Sequence, residues 1–180
     1  MATPAHKLPG DADVETGADM GFHVASVSHF WLGRLVEIDA HWNPKSWSVQ
    51  LFERELSSRS SVVRGLFSGN DLVGYLIAHV VCNEAHIVSF GLAPKWRGIG
   101  GGRFLLREFL RSSRLEGITV VTLDVRVTNL RARKLYEESG FEVVGIRRNY
   151  YSDNSEDALT MRLDATQPKS GLSVDTQRYV

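Results

Sequence analysis

The sequence predicts an α/β fold of mixed (α+β) character, with one sheet flanked by helices in a single domain. Three observations predict it. Short runs rich in Val, Ile and Thr, several of them alternating, recur along the chain, as strands require. Between them lie segments with helical spacing of apolar residues, the strongest over Arg103–Leu115. The order is a strand, two helices, a meander, then helix and strand in alternation ending on two strands, which fits a sheet with helices on its faces. At 180 residues and 20.1 kDa the chain has a one-domain length.

Phe22–Val27 reads as a short strand. Ser28 is suited to cap a following helix, on which Leu32, Leu35, Val36 and Ile38 fall near helical spacing and which Pro44 ends. Trp47, Leu51, Phe52 and Leu56 mark a second short helix. Ser61–Phe67 and Leu72–Val81 are paired strands around the turn Ser68-Gly69-Asn70-Asp71, and Asn83-Glu84 turns the chain into a third strand, His86–Leu92. Pro94–Gly102 is a loop. Arg103–Leu115 carries Phe104, Leu105, Phe109 and Leu115 on or near one face and Arg107, Arg111 and Arg114 on another, and Gly117 closes it. Ile118–Val125 is a strand, Leu130–Ser139 a helix closed by Gly140, and Phe141–Ile146 and Ala158–Leu163 are strands joined by a polar loop. Residues 1–20 read as a mobile leader and 165–180 as a polar tail, which leaves 21–164 as the folded domain.

Composition excludes several classes. Twenty-one basic side chains balance 21 acidic ones, so no global field draws the chain to nucleic acid or an anionic membrane. The one cysteine, Cys82, excludes an internal disulfide framework. The most apolar stretch, Leu72–Cys82, is far short of a bilayer span, and the start has neither a secretory nor a transit pattern, so a reducing cytoplasm is the expected location. The six histidines are scattered without ligand spacing, so no metal site is expected, and His79 and His86 read as sheet residues.

The sharpest local feature is Arg97-Gly98-Ile99-Gly100-Gly101-Gly102-Arg103, between a strand and a helix. Glycines let backbone N–H groups approach a ligand, the first amides of a helix lack internal partners, and two arginines add charge-assisted donors, a combination suited to a diphosphate. A glycine-rich connector is the alternative on the loop alone. The run lacks the Gly-Lys-Ser/Thr of a P-loop. A dinucleotide fingerprint is met only in part, because Arg103 stands at the third glycine position, although Asp124 follows at the end of the next strand.

Arg97-x-x-Gly100-x-Gly102 resembles the Gln/Arg-x-x-Gly-x-Gly/Ala signature of GNAT-type N-acetyltransferases, and the element order from about Phe22 to Leu163 is similar to that fold. Further along, Leu123-Asp124-Val125-Arg126-x-x-Asn129, Ala132-x-x-Leu135-Tyr136-Glu137-x-x-Gly140-Phe141 and Ile146-Arg147-Arg148-Asn149-Tyr150-Tyr151 with Glu156-Asp157-Ala158 resemble the RimI-like branch, the ribosomal-protein-alanine N-acetyltransferases.

The resemblance implies acetyl-CoA as cosubstrate, its diphosphate at Gly98, Ile99, Gly100, Gly101, Gly102 and Arg103 with Arg97 at the loop's start, and Asn129 as a further contact. It implies that Phe90, Gly91 and Leu92 hold the pantetheine and acetyl groups, with a backbone N–H near Leu92 free for the thioester oxygen. Asp124 falls at the general-base position, where the family usually has Glu; Asp is one methylene shorter, so a water relay or another group is implied. Tyr136 falls at the general-acid position, and Tyr150 and Tyr151, with Glu37 or Glu156, are expected to receive the acceptor. On pattern alone Asp124 is a strand-end cap, Tyr136 a partly buried helix aromatic, Asn129 a helix N-cap, and the two tyrosines surface aromatics.

The activity implied is transfer of acetyl to a protein N-terminus, that of a small-subunit ribosomal protein starting with alanine, by direct amine attack. Two other readings stand beside it: a GNAT acting on a small amine or lysine side chain, and an acetyl-CoA-binding sensor without turnover. Neither a membrane nor a direct nucleic-acid partner is expected.

Overall fold

The computed structural model describes residues 15–17, 21–43 and 45–166. Its elements are β1 (Glu15–Gly17), β2 (Phe22–Ser26), α1 (Leu32–Ala40), α2 (Val49–Ser57), β3 (Ser61–Ser68), β4 (Asp71–Val81), β5 (Glu84–Leu92), α3 (Gly101–Leu115), β6 (Val120–Arg126), α4 (Leu130–Glu138), β7 (Glu142–Tyr151) and β8 (Glu156–Asp164). They form one eight-stranded sheet in the order β1-β2-β3-β4-β5-β6-β8-β7. The predicted mixed α/β sheet is thus observed. Within the stretch read as a leader, Glu15–Gly17 is a strand paired antiparallel to β2. The rest of that stretch, Pro44 and most of the polar tail lie outside the described residues.

Two apolar layers sandwich the sheet. Phe104, Leu105 and Phe109 of α3 and Tyr136 of α4 pack on Leu76, Val121, Leu123 and Met161. On the opposite face Leu35 and Ile38 of α1 and Phe52 of α2 pack on Val63, Tyr75 and Ile77. Each fully buried Leu or Phe contributes about 2 kcal/mol of transfer free energy. Arg107 and Arg111 of the basic face of α3 bracket the buried Glu108, and Arg114 donates to the Ala165 carbonyl. Among the described residues no helix is long and apolar enough to cross a membrane.

Several boundaries differ from the expected ones for local reasons. Ser28 makes no side-chain cap; a 3-10 turn, His29–Trp31, precedes α1. Ser48 caps α2 instead, its Oγ accepting from Leu51 N–H at 3.2 Å. α3 begins at Gly101 rather than Arg103, inside the glycine run. β7 runs on past Ile146 to Tyr151, through a bulge in which Asn149 adopts a left-handed φ of 52° and the two-residue period breaks.

Every neighbouring pair of strands is antiparallel except β5 and β6, which are parallel. Their pairing stops at Ile87 opposite Leu123. Beyond that point β5 continues only with β4, and β6 only with β8, so the two strands part. A bulge marks the spot: Ile77 pairs with Ser89 and Ala78 with Ile87, which leaves Val88 as an extra residue on β5.

A buried polar network braces this region. Asp39, fully buried on α1, accepts from the Tyr75 hydroxyl at 2.6 Å and from Trp47 N–H at 2.6 Å, and Tyr75 meets Ser89 Oγ of β5 at 2.9 Å. Burial, then the Asp39 charge, pushes the Tyr75 phenol far above its ordinary range, so it donates at every accessible pH. Asp39→Ala removes the charged acceptor of the buried Tyr75 phenol, leaving it Ser89 alone, and leaves the Trp47 N–H unpaired. We expect a loss of about 3 kcal/mol in urea unfolding, with an unchanged m-value.

Candidate active site

The parting of β5 from β6 leaves one edge of β5 open. Ala93 N–H donates to the Val73 carbonyl at 2.9 Å, toward β4. Strand alternation therefore directs the N–H and C=O of Leu92 to the open edge. The Arg97 guanidinium is found there, its Nε 2.9 Å from the Leu92 carbonyl oxygen. Phe90 and Leu92 pack with the α3 layer, while Gly91 lies beneath Trp42, whose Nε1 would be 2.2 Å from any Cβ at that position. Gly91 is required there by close approach.

At the far end of this edge the glycine loop opens α3. Gly98 and Gly100 have φ of 83° and 93°, the left-handed region. The first intrahelical bond runs from Phe104 N–H to Gly100 O, so the amides of Gly101, Gly102 and Arg103 have no partner within the helix. Ile99 is half exposed at the tip. Arg97 Nη2 is buried without a hydrogen-bond partner. Arg131 of α4 reaches over the loop, its Nη2 2.6 Å from where a Gly98 Cβ would stand. Burial, then the neighbouring Arg131, lowers the Arg97 pKa, the mark of two guanidiniums facing one place. An orphaned buried donor, a second cation and free helix amides fit a diphosphate. The Arg103 side chain, by contrast, is ion-paired with Glu138 and leaves its backbone N–H to the loop. The sequence reading missed Arg131, two residues past Asn129; only the fold brings α4 against the loop.

Asp124 and Tyr136 flank the gap from opposite faces. Leu123 and Val125 point into the α3 layer with Tyr136, so Asp124 between them points to the face of α1 and α2. Its side chain is 5% exposed. Oδ1 accepts from Thr160 Oγ1 at 2.7 Å and lies 3.4 Å from Arg147 Nε; Oδ2 is buried without a partner. Tyr136 is buried, its ring held at 6.4 Å from Phe90 and 5.7 Å from Phe141. Burial, with a smaller push from Tyr151, raises its phenol well above the ordinary value. Asn129 caps α4, its Oδ1 accepting from Ala132 N–H at 3.2 Å.

Tyr150 and Tyr151 pack edge to face at 5.2 Å at the end of β7. Arg126 stacks 3.7 Å above the Tyr151 ring, and burial raises that phenol to about 12. Arg126 also holds Asp153 at 2.9 Å and Glu156 at 3.1 Å, tying the β7–β8 turn to β6. Lys45 crosses from the α1–α2 loop to Ser152 at 2.9 Å, so the two segments meet over the α1/α2 face. Glu37 is ion-paired with Arg34 at 2.7 Å and Glu156 is fully engaged, so neither is a free carboxylate for an acceptor. Among the described residues no group of His, Cys, Asp and Glu could hold a metal ion.

The Thr128 hydroxyl and N–H, then Arg126, hold Glu156 at a pKa of about 2, below its ordinary 4.5. A lowered folded-state pKa stabilises above the unfolded value and is lost as pH falls through the folded one. Glu156→Gln is therefore expected to lower the melting temperature at pH 7 and to flatten its fall between pH 4.5 and 2. Parallel melting curves of the two proteins would check this.

Comparison with known proteins agrees with this geometry. The sequence model of the acetyltransferase (GNAT) family matches residues 32–141. The N-alpha-acetyltransferase RimI of Mycobacterium tuberculosis is 40% identical over 126 residues, 68% of this chain and 78% of that protein. The [ribosomal protein bS18]-alanine N-acetyltransferase of Haemophilus influenzae is 32% identical over 131 residues, 71% and 88% of the two chains. The crystal structure of the Escherichia coli ribosomal-protein-S18-alanine N-acetyltransferase superposes with a TM-score of 0.76 at 27% identity, covering 84% of this chain and 98% of that one. With an open strand edge, a diphosphate-suited glycine loop and this likeness, the chain belongs to the GNAT family of acetyltransferases.

Proposed function

We propose that this acetyl-CoA-dependent enzyme is an N-alpha-acetyltransferase whose acceptor is a protein N-terminus, that of a ribosomal protein beginning with alanine, met in the cytoplasm. The likeness to relatives named for that reaction supports the acceptor. The observation that carries the mechanism is the pair of groups on opposite faces of the gap, Asp124 toward α1 and α2 and Tyr136 toward α3 and α4. Attack from one face and departure to the other is the geometry a direct transfer needs.

In this reading Gly98–Arg103, Arg97, Arg131 and Asn129 hold the diphosphate end of the cosubstrate, and Phe90–Leu92 hold the arm that carries the acetyl group. The Leu92 N–H receives the thioester oxygen as negative charge develops on it. The amine nitrogen forms its bond to the carbonyl carbon while Asp124 takes the proton it sheds, directly or through one water. The C–S bond then breaks, and Tyr136 offers its phenolic proton to the departing sulfur. Its burial keeps that proton in place until the sulfur carries charge. Tyr150 and Tyr151 wall the acceptor side.

The amine chemistry favours an N-terminus. An α-amine with a pKa near 7.8 is neutral in about one molecule in seven at pH 7, a lysine in about one in 2,500, so a single shielded carboxylate is enough for the former.

The test is acetyl transfer read by intact mass, with one peptide carrying a free N-terminal alanine and no lysine, and another with a blocked N-terminus and an internal lysine. Gain on the first alone is expected; gain on the second alone would overturn the reading. Asp124→Ala and Tyr136→Phe are each expected to lower kcat about a hundredfold at pH 7, the former less at pH 9. Arg131→Ala should raise the KM for acetyl-CoA about tenfold and leave kcat unchanged.

A further inference from the structure

The reading above leaves one cluster of ionisable groups without a use, on the α1/α2 face just inside the point where β5 and β6 part. His86 of β5 stands in register with Thr122 of β6, two residues before Asp124. Its Nε2 is 3.9 Å from Asp124 Oδ2, the buried oxygen that lacks a hydrogen-bond partner. Its Nδ1 is 2.9 Å from Thr122 Oγ1. Thr122 Oγ1 also lies 3.5 Å from the Ala85 carbonyl, which can take its hydroxyl proton while its oxygen accepts from Nδ1–H. That tautomer leaves a lone pair on Nε2 facing Oδ2, an arrangement with a place for one proton between two acceptors.

We propose that His86 is the proton acceptor behind Asp124, relaying to solvent the proton that the carboxylate takes from the attacking amine. The inference rests on the reading of Asp124 as the base. The amine N–H bond breaks as the Oδ2–H bond forms. The new O–H points at the Nε2 lone pair and closes a gap too long for a hydrogen bond and too short for an intervening water. The proton then moves to Nε2, and Asp124 is again a carboxylate. The imidazolium loses the proton to water, since the His86 side chain is 38% exposed. Nothing is oxidised or reduced.

The surroundings keep His86 neutral and able to accept. Burial lowers its pKa below 6.5, against the opposing Asp124 charge; Arg147 of β7 and His79 of β4 lower it further. His79 is itself bound to Glu55 of α2 at 2.8 Å, and Arg162 of β8 stands in register with Thr122. His86 is a positioning residue in this scheme, acting through Asp124. It also answers the short reach of Asp at this position: the proton has a second group to go to.

The experiment is the pH profile of kcat, from 6 to 9, for the wild type, His86→Gln, His86→Ala and Asp124→Ala. It uses the alanine-terminal peptide at saturating acetyl-CoA, with a melting curve for each protein. His86→Gln is expected to lose about tenfold in kcat at pH 7, keep both KM values, and recover by pH 9, where the amine arrives neutral. Added imidazole is expected to restore His86→Ala. A His86→Gln enzyme as fast as wild type at pH 7, or one equally slow at pH 7 and 9, overturns the relay. NMR titration of the His86 ring supplies a readout independent of turnover: in Asp124→Asn it should titrate at lower pH, and an unmoved titration contradicts the coupling. A fully active Asp124→Ala removes the base reading itself. An impaired Asp124→Ala beside an intact His86→Gln removes the relay alone.

Discussion

The site depends on one constraint: two parallel strands that pair at their start and part beyond Ile87 and Leu123. A parallel pair that stayed together would bury the amide and carbonyl of Leu92 in ladder hydrogen bonds. The extra residue at Val88 turns the following side chains, so that Ser89 and Gly91 look toward α1 while Phe90 and Leu92 look toward α3. Partners outside the ladder then hold the parted strand: Arg97 on the Leu92 carbonyl, Trp42 over Gly91, and the Asp39–Tyr75–Ser89 chain from α1. Each consists of groups whose cost would be high in a core without a partner.

The same opening divides the electrostatics. One end collects positive charge through Arg97, Arg131 and the free amides of α3, whose first turn carries no acidic residue of its own, with Glu138 of α4 paired to the Arg103 side chain. The other holds a shielded carboxylate, Asp124, with Arg147 and a neutral histidine beside it. Between them stands a phenol kept protonated by burial. The β7–β8 turn is clamped to β6 by Arg126, which leaves Tyr151 stacked rather than loose at the edge of the gap. Rigidity here comes from ion pairs with little exposure, whereas the pairs on the outer face of α4, such as Lys134 with Glu138, add little.

Much of this was legible in the sequence. The meander, α3 and β6 follow from pattern: α3 presents one apolar face, β6 alternates, and β4 is an apolar run buried on both faces between turn residues. The glycine loop stands out by its composition, whereas the roles read for Asp124, Tyr136 and Asn129 come from the likeness of their motifs to the family's; on pattern alone they are a strand-end cap, a helix aromatic and a helix N-cap. What escaped has a common cause. Arg131 meets Gly98, His86 meets Asp124 and Asp39 meets Tyr75, each far apart in the chain, and nothing local distinguishes an arginine on a helix or a histidine on a strand from its neighbours. The end of β7 was missed because the bulge at Asn149 interrupts the alternation on which strand recognition rests. Glu156, expected with Glu37 as an alternative to receive the acceptor, is instead held by Thr128 and Arg126, partners that only the fold brings to it.

The central claim is that the acceptor enters from the α1/α2 face and the sulfur leaves toward α3 and α4. A crystal structure with a conjugate that joins the sulfur of coenzyme A through an acetyl bridge to the nitrogen of an alanine-terminal peptide tests it most directly. The account predicts the sulfur within hydrogen-bond reach of the Tyr136 hydroxyl, the bridging carbonyl oxygen on the Leu92 N–H, and the peptide nitrogen within one water of Asp124. A conjugate whose peptide runs along α3, or whose nitrogen lies remote from Asp124, would contradict it.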